Sequence, residues 1–239
     1  MGEYKGRAKQ ELLAGLERGF QSPFIGQNLP EPGSGVRNSA VLVLFGTLDS
    51  VLSAGATGGE FGDPADAPVA ADLDVLLTMR SSGLKNHAGQ IAFPGGGVEP
   101  DDTDRAATAL REANEETGLD PSGVDVLGYL PDAHIPVSNY LVTPVLGWWR
   151  LPSDIAADAQ ESVEVFRVPV AELLDPKARG TSVLHHRGLT MRGPAFQLGS
   201  QFGGHIVWGF TAMLLAGIFD TVGWTQEWDV DRTFEIKRG

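Results

Sequence analysis

The chain has 239 residues, a mass of 25.4 kDa and 42% apolar content, enough for one sizeable α/β domain with short extensions. Its formal net charge of −13 argues against a general nucleic-acid binder, which would carry a basic face. Without cysteine there is no disulfide framework, thiolate zinc site or cysteine nucleophile, a composition that fits a reducing cytoplasm.

The N-terminal stretch Met1-Gly2-Glu3-Tyr4-Lys5 lacks the apolar region of a signal peptide. Helical spacing from Lys9 to Phe20 sets Leu12, Leu13, Leu16 and Phe20 on one face. Pro30 to Gly35 reads as a linker, and Ser39 to Phe45 as a buried strand. Residues 53–71, rich in Gly, Ala, Asp and Pro, predict a mobile loop before a strand at Asp74–Thr78. Phe93-Pro94 ends an extended segment, and Gly95-Gly96-Gly97 permits tight turning and close ligand approach. An acidic helix follows and stops at Gly118. Val124–Leu130, Tyr140–Trp149 and Glu164–Val168 are strand candidates, the last closed by Pro169 and followed by a short helix over Val170–Leu174. Leu189–Arg192 and Ala195–Leu198 suggest a hairpin around Gly193-Pro194, and Ile206–Phe219 predicts a final helix. The apolar run from His205 to Phe219 is too short to span a membrane and is interrupted by Gly209 and Gly217. There are no internal repeats, and this order predicts a mixed sheet between helices.

The acidic helix carries the chemistry. Asp101, Asp102 and Thr103 are candidate N-caps, and Asp104 suits the positive end of the helix dipole. Ala106, Ala109, Leu110 and Ala113 form an apolar stripe for packing. Beside it, Glu112, Glu115 and Glu116 fall at i, i+3 and i+4. Like charges so placed repel by roughly 0.2–0.5 kcal/mol per exposed pair. A divalent cation would convert that repulsion into attraction, since hard cations prefer carboxylate oxygens. Upstream, Arg80 and Lys85 are candidate phosphate ligands, Arg as a bidentate fork and Lys as a point charge, and His87 is a candidate donor or weak acid or base.

From Gly97 to Leu119 the chain resembles the Nudix box, Gly-x5-Glu-x7-Arg-Glu-U-x-Glu-Glu-x-Gly-U with U apolar. It departs from the pattern at the first Glu, where Thr103 stands. Residues 76–96 resemble the signature of the coenzyme A pyrophosphatases within that family, Leu-Leu-Thr-x-Arg-Ser-x3-Arg-x3-Gly-x3-Phe-Pro-Gly-Gly, with Lys85 in place of the second Arg. Tyr140–Val145, Val165–Pro169 and Val207–Ala212 are similar to later family segments, so the resemblance runs from about Ser39 to Leu215.

The resemblance implies an α/β/α sandwich spanning residues 36–222, with an N-terminal helix and linker at 1–35, a loop insertion at 53–71 and a tail at 223–239. It implies that Glu112, Glu115 and Glu116, aided by the Gly96 carbonyl, hold Mg²⁺ or Mn²⁺. Glu115, Glu116 and a carboxylate outside the box, Glu161, are the implied catalytic acids. Arg80, Lys85, His87 and Gly97 would contact substrate. Arg111 is implied to be structural; its usual partner is the box's first Glu, which Thr103 cannot replace, and Asp102, Asp104 or Glu99 are the available acids. The implied reaction is hydrolysis of the diphosphate of coenzyme A or acyl-coenzyme A in the cytoplasm, by a protein that binds neither nucleic acid nor membrane and whose relatives are often homodimers. Two alternatives stay open: ADP-ribose, NADH or another nucleotide as substrate, and a Nudix-fold binding module without catalysis.

Overall fold

The computed structural model describes residues 2–20, 25–27, 29–31, 35–48, 68–80, 90–136, 138–157, 162–186 and 188–237. Up to residue 67, the expected loop at 53–71 lies outside them. Helix α1 (Gly2–Arg18) is followed by β1 (Arg37–Thr47), β2 (Leu73–Arg80), β3 (Ile91–Ala92) and β4 (Gly95–Gly97). Helix α2 (Arg105–Thr117) then leads to β5 (Val124–Tyr129), β6 (Ala133–Ile135), β7 (Tyr140–Trp149), β8 (Ser162–Pro169) and the single-turn α3 (Val170–Leu174). The remaining elements are β9 (Arg179–His186), β10 (Leu189–Gln197), β11 (Ile206–Val207), α4 (Gly209–Val222) and β12 (Thr233–Glu235).

The main sheet runs β3-β2-β1-β7-β5, with β4 also on β1, β6 on β7 and β8 on β2. Strands β1 and β7 pair in parallel and the other pairs are antiparallel, so the sheet is mixed. Strand alternation sorts its two faces. Ala40, Leu42 and Leu44 of β1 pack with Ala106, Ala109 and Ala113 of α2. Val43 and Phe45 face the other way, into a larger core with Leu12 of α1 and Leu214, Leu215, Ile218 and Phe219 of α4. The result is the expected mixed sheet between helices. A smaller sheet, β11-β10-β9-β12, packs against α4 through β10.

Two expectations are corrected. Gly193-Pro194 is not a turn: both residues lie inside β10, opposite Ser182 and Thr181 of β9. The Gln197 N–H donates to the Ala178 carbonyl at 2.8 Å, which sets the parity of the ladder. Odd-numbered residues of β10 therefore bond to β9, and the Pro194 nitrogen points to the open edge, where its missing proton costs nothing. The final helix starts at Gly209, because Ile206 and Val207 pair with Gln197 and Phe196 as β11. Gly209 then takes φ +63°, a left-handed value that breaks strand from helix.

At the end of β1 remote from β4, Asp74 is buried and bonded to Arg167. Burial pushes the Asp74 carboxyl up against the opposing pull of that guanidinium. Arg167 also donates to the Thr47 carbonyl (2.9 Å) and stacks over Trp149 at 4.7 Å.

Candidate functional site

Helix α2 is fixed at both ends. Its N-cap is Asp104, whose carboxylate accepts from the Ala107 N–H at 2.8 Å, rather than any of the three preceding candidates. Asp102 is already committed to the turn before the helix: it accepts from the Glu99 N–H (2.8 Å) and the Thr108 hydroxyl (2.9 Å). Gly118 closes the helix at φ +70°, its N–H donating to the Asn114 carbonyl (2.8 Å).

Strand β4 brings the three glycines under this helix; instead of the expected tight turn they form a short strand on β1. Gly97, Gly96 and Gly95 pair with Ser39, Ala40 and Val41 of β1. Leu42 N–H donates to Pro94 O (2.9 Å) and Val98 N–H to Asn38 O (3.1 Å), so even-numbered residues of β4 bond toward β1. The Gly96 carbonyl therefore faces Ala40 and keeps its second lone pair, while the Gly97 carbonyl points away and accepts from Arg111 Nη2 at 2.9 Å. A Cβ on Gly96 would stand 2.4 Å from Glu112 Cδ and Oε2. Only glycine lets that carboxylate lie against the strand.

Arg111 is the hub of the site. Of the three acids open to it, Asp102 closes a two-point fork, Nε to Oδ1 at 3.0 Å and Nη2 to Oδ2 at 3.1 Å. Glu99 stands further off at 3.8 Å. Nη1 meets Glu112 Oε1 at 2.9 Å and Glu115 Oε2 at 3.4 Å. The Arg111 bonds hold the Asp102 carboxyl well below the usual carboxylate range, and Asp102 in turn raises the Arg111 guanidinium above its ordinary value. Asp102 thus does from the turn what Thr103, one residue later, cannot.

Because its pKa is depressed in the folded state, the Asp102 carboxylate contributes stability that is complete above pH about 4 and lost as acid protonates it below that. Asp102→Asn is expected to cost about 2 kcal/mol near pH 7, the size of a charge-assisted bond to a partly exposed partner. That difference should shrink as pH falls below about 4, a trend that urea melts of both proteins across pH would read directly.

The three glutamates differ in setting. Glu116 is 3% exposed, the Glu112 side chain 13% and the Glu115 side chain 57%. Among the described residues no three His, Asp or Glu side chains are gathered as a ready metal site. The donors fit a hard divalent cation in kind, however, and two of them already converge on one cationic atom, Arg111 Nη1. Arg80 ends β2 at a register shift between Met79 and Arg80, opposite Ser162 of β8. The Arg80 side chain, and all of Lys85, His87 and Glu161, lie outside the described residues.

A family model described as the NUDIX domain matches residues 64–186. The chain is 39% identical over 152 residues to an uncharacterized Nudix hydrolase, NudL, of Escherichia coli O7:K1, covering 62% of this chain and 75% of that protein. It is 38% identical over 151 residues to NudL of Cronobacter sakazakii, with the same 62% and 75% coverage. Among solved structures, the Nudix hydrolase RenU from M. Smegmatis matches with 21% identity and a TM-score of 0.39, over 56% of this chain and 70% of that one.

Proposed function

Since the chain belongs to the Nudix hydrolase family, we propose that it is a metal-dependent pyrophosphatase cleaving the diphosphate of coenzyme A or acyl-coenzyme A. The products are adenosine 3′,5′-bisphosphate and (acyl-)4′-phosphopantetheine. The observation that carries the reaction class is the convergence of Glu112 and Glu115 on one cationic point beside Gly96. The substrate rests on the Leu76–Gly96 string, which matches the coenzyme A pyrophosphatase signature everywhere but Lys85.

Glu112, Glu115 and Glu116, with the free lone pair of the Gly96 carbonyl, would hold Mg²⁺ or Mn²⁺. Such ions, when bound, neutralise charge on the diphosphate and polarise its phosphoryl oxygens. The chain's own residues do the rest. Asp102 and the Gly97 carbonyl anchor Arg111, which keeps the helix and β4 in one frame. Glu112 lies in the slot that Gly96 leaves open. Glu161 is the proposed carboxylate outside the box, and Arg80, Lys85 and His87 the phosphate-facing groups. These cationic side chains and the metal together oppose a global charge of −13, as a local potential can. Residues 36–222 form the proposed hydrolase domain, with 1–35 and 223–239 as extensions. Among the described residues no helix is long and apolar enough to cross a membrane.

Chromatography of products after incubation with coenzyme A and Mg²⁺ or Mn²⁺ tests the proposal, with ADP-ribose and NADH in parallel. Adenosine 3′,5′-bisphosphate that disappears with chelator is the expected result. Cleavage of ADP-ribose or NADH alone would keep the chemistry and discard the substrate.

A further inference from the structure

Helix α4 buries one polar side chain, Thr211, among Ala212, Leu214, Leu215, Ala216, Ile218 and Phe219. A buried hydroxyl is costly unless it is bonded. Its bond leaves the helix altogether: Thr211 Oγ1 donates to the carbonyl of Ile91 at 3.1 Å, across 120 residues of sequence. Ile91 is itself buried and is one of only two residues in β3. From Ile91 the chain passes through buried Phe93 and Pro94 directly into the glycine strand β4 that receives Glu112.

The segment from Ile91 to Val98 bridges two strands. Its far end is tied to β1 by the Leu42–Pro94 and Val98–Asn38 bonds. Its near end is tied to β2 by the short pairing of Ile91 with Met79 and Ala92 with Thr78, supplemented by a long 3.5 Å contact from the Thr78 hydroxyl to Ala92 O. Thr211 adds a fixed point from outside the main sheet, and β11, just before α4, also packs against β3. Bonds made in such dry surroundings are stiff and direction-setting.

We propose that Thr211 is a positioning residue: by holding the Ile91 carbonyl, it fixes the root of the 91–97 segment and so the seat of the Glu112 carboxylate. The inference rests on the metal-dependent reading of that site. Loss of the hydroxyl would let the segment shift, and small misplacements of a reacting frame are costly in rate.

The test uses the full chain with Thr211→Val, Thr211→Ser and a control, Ser182→Ala. The control removes the same kind of bond, a buried hydroxyl donating to the Gly193 carbonyl at 3.1 Å, from the small sheet. Thr211→Val is expected to lower kcat about tenfold or more with KM changed by less than about threefold. Amide hydrogen exchange over residues 91–98 should rise while β9 and β10 stay protected. Thr211→Ser should restore both, and Ser182→Ala should leave kcat unchanged. Parental kcat with unchanged exchange at 91–98 in Thr211→Val overturns the proposal. So does a rise in exchange spread evenly over the chain, which marks general destabilisation. If the parent protein turns over no diphosphate substrate, the functional reading fails, and local exchange at 91–98 still decides the role of Thr211.

Discussion

Glu116→Gln is expected to reduce turnover about a thousandfold, some 4 kcal/mol of transition-state stabilisation. The melting temperature should stay within about 3 °C of the parent, since the change is isosteric and relieves repulsion within the acidic stripe. Glu116 is the most buried of the three glutamates, so its carboxylate is the least free to be replaced by water or by a neighbour. Glu115→Gln should also lower the rate, and to a smaller extent, because Glu115 is more than half exposed and can be partly replaced by solvent. Full activity in both variants, measured as metal-dependent product release, would sink the assignment of these residues to the metal. Unfolding of either variant would show that the carboxylate holds the helix rather than a cation.

The second large effect separates two adjacent glycines. A methyl group at Gly96 would collide with the Glu112 carboxylate, the mobile end of a flexible side chain. Gly96→Ala is therefore expected to keep the fold, displace Glu112 and cut kcat about a hundredfold. At Gly95 the same methyl group would sit 2.4 Å from the Ala40 carbonyl oxygen and 2.6 Å from Val41 Cα, which cannot swing aside. Gly95→Ala should instead cost about 1–3 kcal/mol of stability by overpacking the β1–β4 ladder. A thermal melt and a rate for each variant distinguish the two. Equal losses of stability would show that the Gly96 slot is not a seat for Glu112 but another point of backbone packing.

Much of the architecture was legible in apolar runs and in periodicity. The unbroken apolar run Ala40–Phe45 marks β1 as a buried strand, the 3–4 spacing of Ala106, Ala109 and Ala113 places α2, and Gly118 stops the helix where a left-handed residue is needed. Aperiodic features were not legible. The choice among Asp102, Asp104 and Glu99 as partner of Arg111 depends on the path of the turn between Val98 and Asp104, which no spacing rule encodes. Asp104 became the N-cap because Asp102 was drawn into the turn. Gly193-Pro194 carries the usual signature of a turn, and only the parity of the β9–β10 ladder shows why a strand tolerates it there. Contacts across long stretches of chain, such as Thr211 with Ile91 or Asp74 with Arg167, leave no local trace in sequence. Thr211 did stand in the Val207–Ala212 segment, where its polar character amid apolar neighbours was the available signal.

Because the anchoring acid sits at 102, the side chain at 103 is relieved of that duty and lies exposed in the turn between Val98 and Asp104. The chain contains no cysteine. Thr103→Cys would thus introduce a single thiol, one residue from the acid that grips Arg111, to which a fluorophore or spin label attaches without competing sites. A departure from the family pattern becomes an address for a probe of turn movement beside the Arg111 network in solution.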